Sequence, residues 1–249
     1  MSLHGYRQPS ELPAGGKEVT RMDAFVESLL EELNCETVFT IPLFGGIPVS
    51  EAVVVTWFIM AGLTVAAFLL TRNLRVEQPG RRQLIVETAV EGIYGFFEDT
   101  MGGLGKEYIP YLSAVAIYIG ISNLIGLIGF KPPTKDLNIT AALAIMSIVL
   151  IEIAGVRKKG MKGWLKSFAE PMPVVLPINI LEVFIKPLSL CMRLFGNVLG
   201  SFVIMELLKS VVPAVVPAVF SCYFDIFDGL IQAYVFVFLT SLFVKEATE

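Results

Sequence analysis

The sequence predicts an all-α polytopic membrane protein with five membrane-embedded helices and an interfacial amphipathic helix, the last two spans being long, tilted and arranged as an antiparallel hairpin. Three observations predict it. Hydrophobic residues make up 55% of the 249 and the mean hydropathy is +0.71, above the roughly 45–50% apolar share of soluble domains. Five stretches reach the roughly 20 apolar residues that a helix rising about 1.5 Å per residue needs to cross a hydrocarbon core about 30 Å thick. Ionisable side chains recur at helical spacing inside the last two stretches, where they are costly and usually face a cavity or a partner.

Residues 1–50 read as an N-terminal extracytoplasmic segment and residues 51–249 as a single membrane domain. Residues 1–22 carry charges, Pro and Gly without the apolar core of a signal peptide, so the later spans are expected to drive insertion. The first span, 53–70, and the span at 109–130 contain no charge, and the span at 137–154 contains only Glu152. Between the first two, residues 81–99 place Ile85, Ala89, Ile93, Phe96 and Phe97 at helical spacing, with Glu87, Glu91, Glu98 and Asp99 elsewhere on the wheel. That pattern suits a helix lying at the interface, and it also suits a soluble helix packed on the rest of the protein. The last two stretches, 174–208 and 214–244, are too long for one perpendicular crossing and are interrupted by charges, so strong tilt is expected.

Composition excludes several classes. A net charge of -4 does not suit nucleic acid, which requires a large basic surface to displace counterions. Cys35, Cys191 and Cys222 lie far apart and His4 is the single histidine, so no disulfide framework, metal site or other cofactor is predicted. Gly102-Gly103-Leu104-Gly105-Lys106 imitates a phosphate loop, but Thr100 stands where the leading Gly is required and Glu107 where Ser or Thr must follow the Lys.

Orientation follows from the short loops. Arg72, Arg75, Arg81 and Arg82 follow the first span, and Arg157, Lys158, Lys159, Lys162 and Lys166 follow the third. Cytoplasmic loops carry such an excess, and two intervening spans put both clusters on one side. The loop 131–136 is less basic, and the acidic N-terminal segment holds Glu27, Glu31 and Glu32, so both are expected outside. Five crossings then leave the N-terminus outside and the C-terminus in the cytoplasm.

Relative to Arg193, the residues Glu182, Lys186, Ser189 and Asn197 stand at -11, -7, -4 and +4, which at about 100° per residue puts them on one face. Asp225, Asp228 and Gln232, spaced by three and then four, share a face of the final helix. Two polar stripes on consecutive helices invite antiparallel pairing. A purely structural role, in which Arg193 and the aspartates neutralise each other as a buried ion pair, is the weaker reading, because an apolar interface would hold the helices at less desolvation cost. Glu206 and Lys209 lie toward the far end of the segment, where long side chains reach the headgroups, and Glu152 and Lys186 lie near the cytoplasmic interface.

The run Pro177-Ile178-Asn179-Ile180-Leu181-Glu182, then Lys186-Pro187-Leu188-Ser189-Leu190, then Arg193-Leu194-Phe195-Gly196-Asn197, resembles the signature of subunit a of F-type ATP synthases. Gln232-Ala233, Ser122-Asn123-Leu124 and Asp136-Leu137-Asn138-Ile139-Thr140 are similar to that family too, and the likeness covers roughly residues 50–245. The resemblance implies a bacterial plasma-membrane stator that is not itself an enzyme, beside a rotating c-ring and b-type peripheral stalk subunits, in contact with membrane lipid. Two aqueous half-channels would carry H+ or Na+ to and from the ring. Arg193 matches the family's essential arginine, facing the ring carboxylate and dividing the half-channels. An arginine stays protonated at any relevant pH, so it favours the ionised ring carboxylate and repels a leaking cation.

By the same resemblance Gln232 is expected opposite Arg193, with Asn197 on the same translocating face. Asn123, Asp136, Asn138, Asp225 and Asp228 are expected to line the outer half-channel, and Glu182 with Ser189 the cytoplasmic one. One departure stands out. Many bacterial members carry Glu nine residues after the arginine, where this chain has Phe202, so Asp225 and Asp228 are expected to supply the acid from the neighbouring helix. A self-contained secondary transporter is the runner-up, but it would normally show internal repeats with broken helices at the midplane, and no convincing second copy of the Arg193 region is found.

Overall fold

The computed structural model describes residues 37–41, 47–72, 80–102, 106–128, 132–168, 173–211 and 223–248, together with Leu74 and Phe220. A short antiparallel hairpin comes first, β1 at Thr37–Ile41 and β2 at Ile47–Ser50, with Ile41 paired to Ile47 and Thr37 to Ser50. It lies within the N-terminal segment, ahead of the all-helical membrane domain. Everything after it among the described residues is helical: α1 Glu51–Thr71, α2 Arg81–Met101, α3 Ile109–Leu124, α4 Leu137–Ser167, α5 Leu176–Val211 and α6 Gly229–Thr248.

α1 buries Val55 and Ile59 but leaves Phe58, Phe68 and Leu69 more than 60% exposed. Such an apolar exterior has no place in water and suits acyl chains. Among the described residues four helices are long and apolar enough to cross a membrane: Glu51–Thr71, Leu137–Ser167, Leu176–Met205 and Ile226–Thr248. α3 is equally apolar but has 16 residues, and it tightens into a 3-10 turn over Ile125–Ile128. α2 is more polar, and it ends where Gly102 takes the left-handed conformation at φ 62 and donates its N–H to the carbonyl of Glu98, a conformation that costs glycine little.

The third span was expected to end at 154, but α4 continues to Ser167. Apolarity marks the edge of the membrane, whereas the Arg157-Lys158-Lys159 run consists of good helix formers that carry the helix onward. At Gly160, with φ 72 and ψ 160, the chain reverses, and only glycine adopts that conformation readily. Trp164 consequently donates its indole Nε1–H to Glu152 Oε2 at 2.7 Å, although twelve residues of unbroken helix would span about 18 Å. The final span also differs from its expected range of 214–244. Among the described residues it begins with a π-helical turn at Tyr223–Asp228 and runs on to Thr248; residues 212–219 lie outside the described residues.

α6 sits at the centre, packed chiefly against α3 and α4 and then α2, while α5 packs chiefly on α4 and meets α6 along a shorter seam. Phe97, Met101, Leu112, Ile119, Leu190, Leu194, Phe236 and Val244 form the dry heart of this packing. α5 and α6 run antiparallel, since Lys186 meets Glu246 and, further along α5, Asn197 meets Gln232. Where α3 crosses the start of α6 the backbones come close. A Cβ on Gly229 would lie 2.8 Å from the Asn123 Cβ, so only glycine fits, as at small-residue crossings of membrane helices.

Candidate functional site

α5 buries Leu190, Cys191 and Leu194 and turns Ser189, Met192, Arg193 and Asn197 outward. Arg193 is exposed and has no ion-pair or hydrogen-bond partner among the described residues. Ser189, Gly196 and Asn197 are exposed on the same face, and Leu181, Phe184, Leu188 and Met192, each more than half exposed, lie further round the helix. A fixed positive charge on a helix long and apolar enough to cross a membrane calls for a counter-charge or a cavity, because burying it alone in lipid costs several kcal/mol. The buried ion pair with the aspartates is not formed by Asp228, and the side chain of Asp225 lies outside the described residues.

Asn197, one turn beyond Arg193, donates its Nδ2 to Gln232 Oε1 at 2.5 Å. Gln232 is 2% exposed and its Nε2 has no partner among the described residues. The two polar stripes therefore do meet, through an amide pair that leaves one buried donor open beside the arginine-bearing helix. A buried N–H without an acceptor is expensive, about 1–3 kcal/mol, and buried polar groups are rarely left so.

The residues matched to the outer half-channel divide. Asn123 is buried and fully engaged: its Nδ2 donates to the Gly229 carbonyl at 2.9 Å and its Oδ1 accepts from Thr134 Oγ1 at 2.8 Å. Asp136 is also buried; it caps α4 by accepting the Asn138 N–H at 2.9 Å, as an N-cap carboxylate does, and accepts Ser50 Oγ at 2.9 Å. Asn138 itself is exposed, and Asp228 is half-buried at the end of the π-helical turn. The structure thus joins Asn123, Thr134 and Gly229 at one point and Asp136 with Ser50 at another. Phe202 is covered by Lys135, whose ammonium sits 4.1 Å from the ring centroid, a cation–π contact that ties the turn before α4 to α5.

At the opposite end of the bundle a cavity of about 310 Å³ is lined by Glu152 and Lys159 from α4, Glu182 and Lys186 from α5, and Glu246 from α6. Lys186 Nζ lies 3.4 Å from Glu182 Oε2 and 3.1 Å from Glu246 Oε2, and 5.2 Å over the Phe243 ring. The basic residues in the second half of α4 mark this end, where Arg157 approaches Glu107 at 3.9 Å. Sequence reasoning singled out Glu182 and missed Glu246 and Trp164. A signal existed for Glu246, which stands fourteen residues after Gln232, four helical turns along nearly the same face. Among the described residues no three His, Cys, Asp or Glu side chains converge as a metal centre would require.

Residues 53–245 match the family described as ATP synthase A chain. The chain is 38% identical over 203 residues to ATP synthase subunit a of Moorella thermoacetica, covering 81% of this chain and 92% of that protein. It is 33% identical over 208 residues to ATP synthase subunit a 2 of Acaryochloris marina, covering 83% and 88%. It is also 35% identical over 220 residues to the sodium ion specific ATP synthase subunit a of Propionigenium modestum, covering 80% and 74%. With its spanning helices, its outward-facing arginine and a match over most of its length, the chain belongs to the ATP synthase A chain family.

Proposed function

We propose that Arg193 is the charge around which this membrane-sector stator subunit moves H+ or Na+ between two half-channels and a rotating c-ring. The carrying observation is the exposed guanidinium on a membrane helix, without an ion pair or hydrogen bond among the described residues, with the Asn197–Gln232 amide pair one turn away. A ring carboxylate arriving at that face finds a permanent cation, which favours its ionised form and so promotes release of its ion. A free cation meeting Arg193 is repelled, so ions cross by riding the ring.

Glu182 and Ser189 serve the cytoplasmic half-channel, and Asn138, Asp225 and Asp228 line the outer one, in the space that the Asn123 and Asp136 clasps hold in shape. The chain crosses the bacterial plasma membrane five times, N-terminus outside and C-terminus inside, which the basic residues after α1 and in the second half of α4 support. It is not catalytic; the ATP chemistry belongs to other subunits, and b-type peripheral stalk subunits hold it against the torque of the ring. Each ion falling through 100 mV yields about 2.3 kcal/mol, so several ions must pass for each ATP.

The test is ATP-driven pumping by the purified complex in vesicles, with and without sodium, comparing wild type with Arg193→Ala. Loss of pumping in an assembled complex supports the reading, and the sodium response names the ion. Pumping that survives the substitution makes Arg193 structural and ends the proposal.

A further inference from the structure

Glu246 lies one residue beyond the segment 53–245 shared with the family, and nothing in the site described so far uses it. It is held nonetheless. Lys186 reaches across from α5 to Glu246 on α6 while also meeting Glu182 one turn behind it on its own helix. The Lys186 side chain is 22% exposed, with its ammonium over the Phe243 ring, so this is a positioned charge and not a solvated surface lysine. The two carboxylates remain open, at 46% and 59% exposure, and both line the same cavity.

The charges on that cavity can be summed. Two glutamates and one lysine give the trio a charge of -1. From α4, Glu152 and Lys159 also line the cavity and cancel formally, and Glu152 already accepts the Trp164 indole hydrogen. A concave, charged opening with low-dielectric walls focuses field lines and concentrates counter-ions at its mouth. We infer that Glu246 and Glu182 together form a cation-collecting mouth of the cytoplasmic half-channel, and that Lys186 is the positioning residue that sets its charge and holds the two carboxylates in place. This rests on the ion-translocating reading above and adds to it a residue and a sign. Lys186 lowers ion capture while holding the geometry, and Glu246 raises it.

The experiment uses the intact complex in inverted vesicles, with the cytoplasmic face outward. ATP-driven pumping is followed against medium proton concentration and, in a separate series, sodium, each rate normalised to uncoupled ATP hydrolysis in the same medium. Glu246→Gln is expected to raise the half-saturating ion concentration about threefold and Lys186→Gln to lower it about threefold, as one unit of charge at the mouth dictates through solvent. Lys186→Arg, which keeps the charge, is expected to retain the wild-type value. Opposite shifts in the two neutralised variants support the inference. A fall in maximal rate with unchanged half-saturation means the clasp only packs the helices and overturns it, as does no change in either quantity. Should Lys186→Gln fail to assemble, Glu246→Gln, at an exposed position, decides alone. Arg193→Ala is run alongside: pumping that persists there sinks the translocation reading whatever the mouth does, whereas pumping lost there with half-saturation unmoved in Glu246→Gln sinks only the mouth.

Discussion

Asn123 and Arg193 are both polar residues within apolar helices, and the structure treats them in opposite ways. Asn123 is buried with both ends of its amide engaged, joining α3, the turn before α4 and the first residue of α6. Arg193 is exposed, without a partner among the described residues, and next to a buried amide donor that is also open. A polar group satisfied inside its own chain holds helices together, worth about 1 kcal/mol per bond in membranes. A charge without a partner on a helix fit to cross a membrane does not hold helices together, and in lipid it is costly unless a cavity or a partner faces it.

Substitutions can break or sharpen that contrast. The largest effect is expected at Arg193→Ala, where coupled pumping should disappear while the amount of assembled complex, judged by co-purification, stays near wild type. Gly229→Val should do the reverse. Its side chain would enter the space of the Asn123 Cβ 2.8 Å away, so assembly should fail or the thermal midpoint of the solubilised complex drop, at an overpacking cost of about 1–3 kcal/mol or more. Asn123→Ala is milder in the same direction. It strands the Gly229 carbonyl and the Thr134 hydroxyl, and a loss of about 1–3 kcal/mol in stability is expected, read as a lower thermal midpoint.

Gln232→Leu sharpens the comparison from the other side, since it removes both the acceptor of Asn197 and the open donor. Pumping per complex should fall about tenfold, the equivalent of one hydrogen bond, and stability should change less than in Asn123→Ala. The smallest effect belongs to Phe202→Leu. Losing the Lys135 contact should cost about 0.5–1 kcal/mol, seen as a small thermal shift with pumping intact.

Much of the frame was legible in the residues. α1, α3 and α5 begin within a few residues of where apolar length places them, because bilayer thickness and helical rise are properties of a local stretch. The stripe from Glu182 to Asn197 was legible for the same reason. Other features were hidden. Hydropathy ends the third span near 154, whereas the helix passes through Lys159 and doubles back at Gly160, and apolarity does not register backbone torsion. Glu246 was overlooked because it stands near a chain end where charges are ordinary, and only α5 beside it makes it part of a cavity.

By itself the sequence determined which segments are apolar and long enough to cross a membrane, which side chains share a helical face, and which family the Arg193 run resembles. Tertiary structure alone decided which of those polar side chains are spent on the fold. Asn123 and Gly229 are 106 residues apart, and Lys186 and Glu246 are 60 apart. Whether such pairs meet depends on the depth and rotation of each helix against its neighbours. Periodicity along a single helix carries no information about either, whereas close packing of α6 against α3, α4 and α5 sets both.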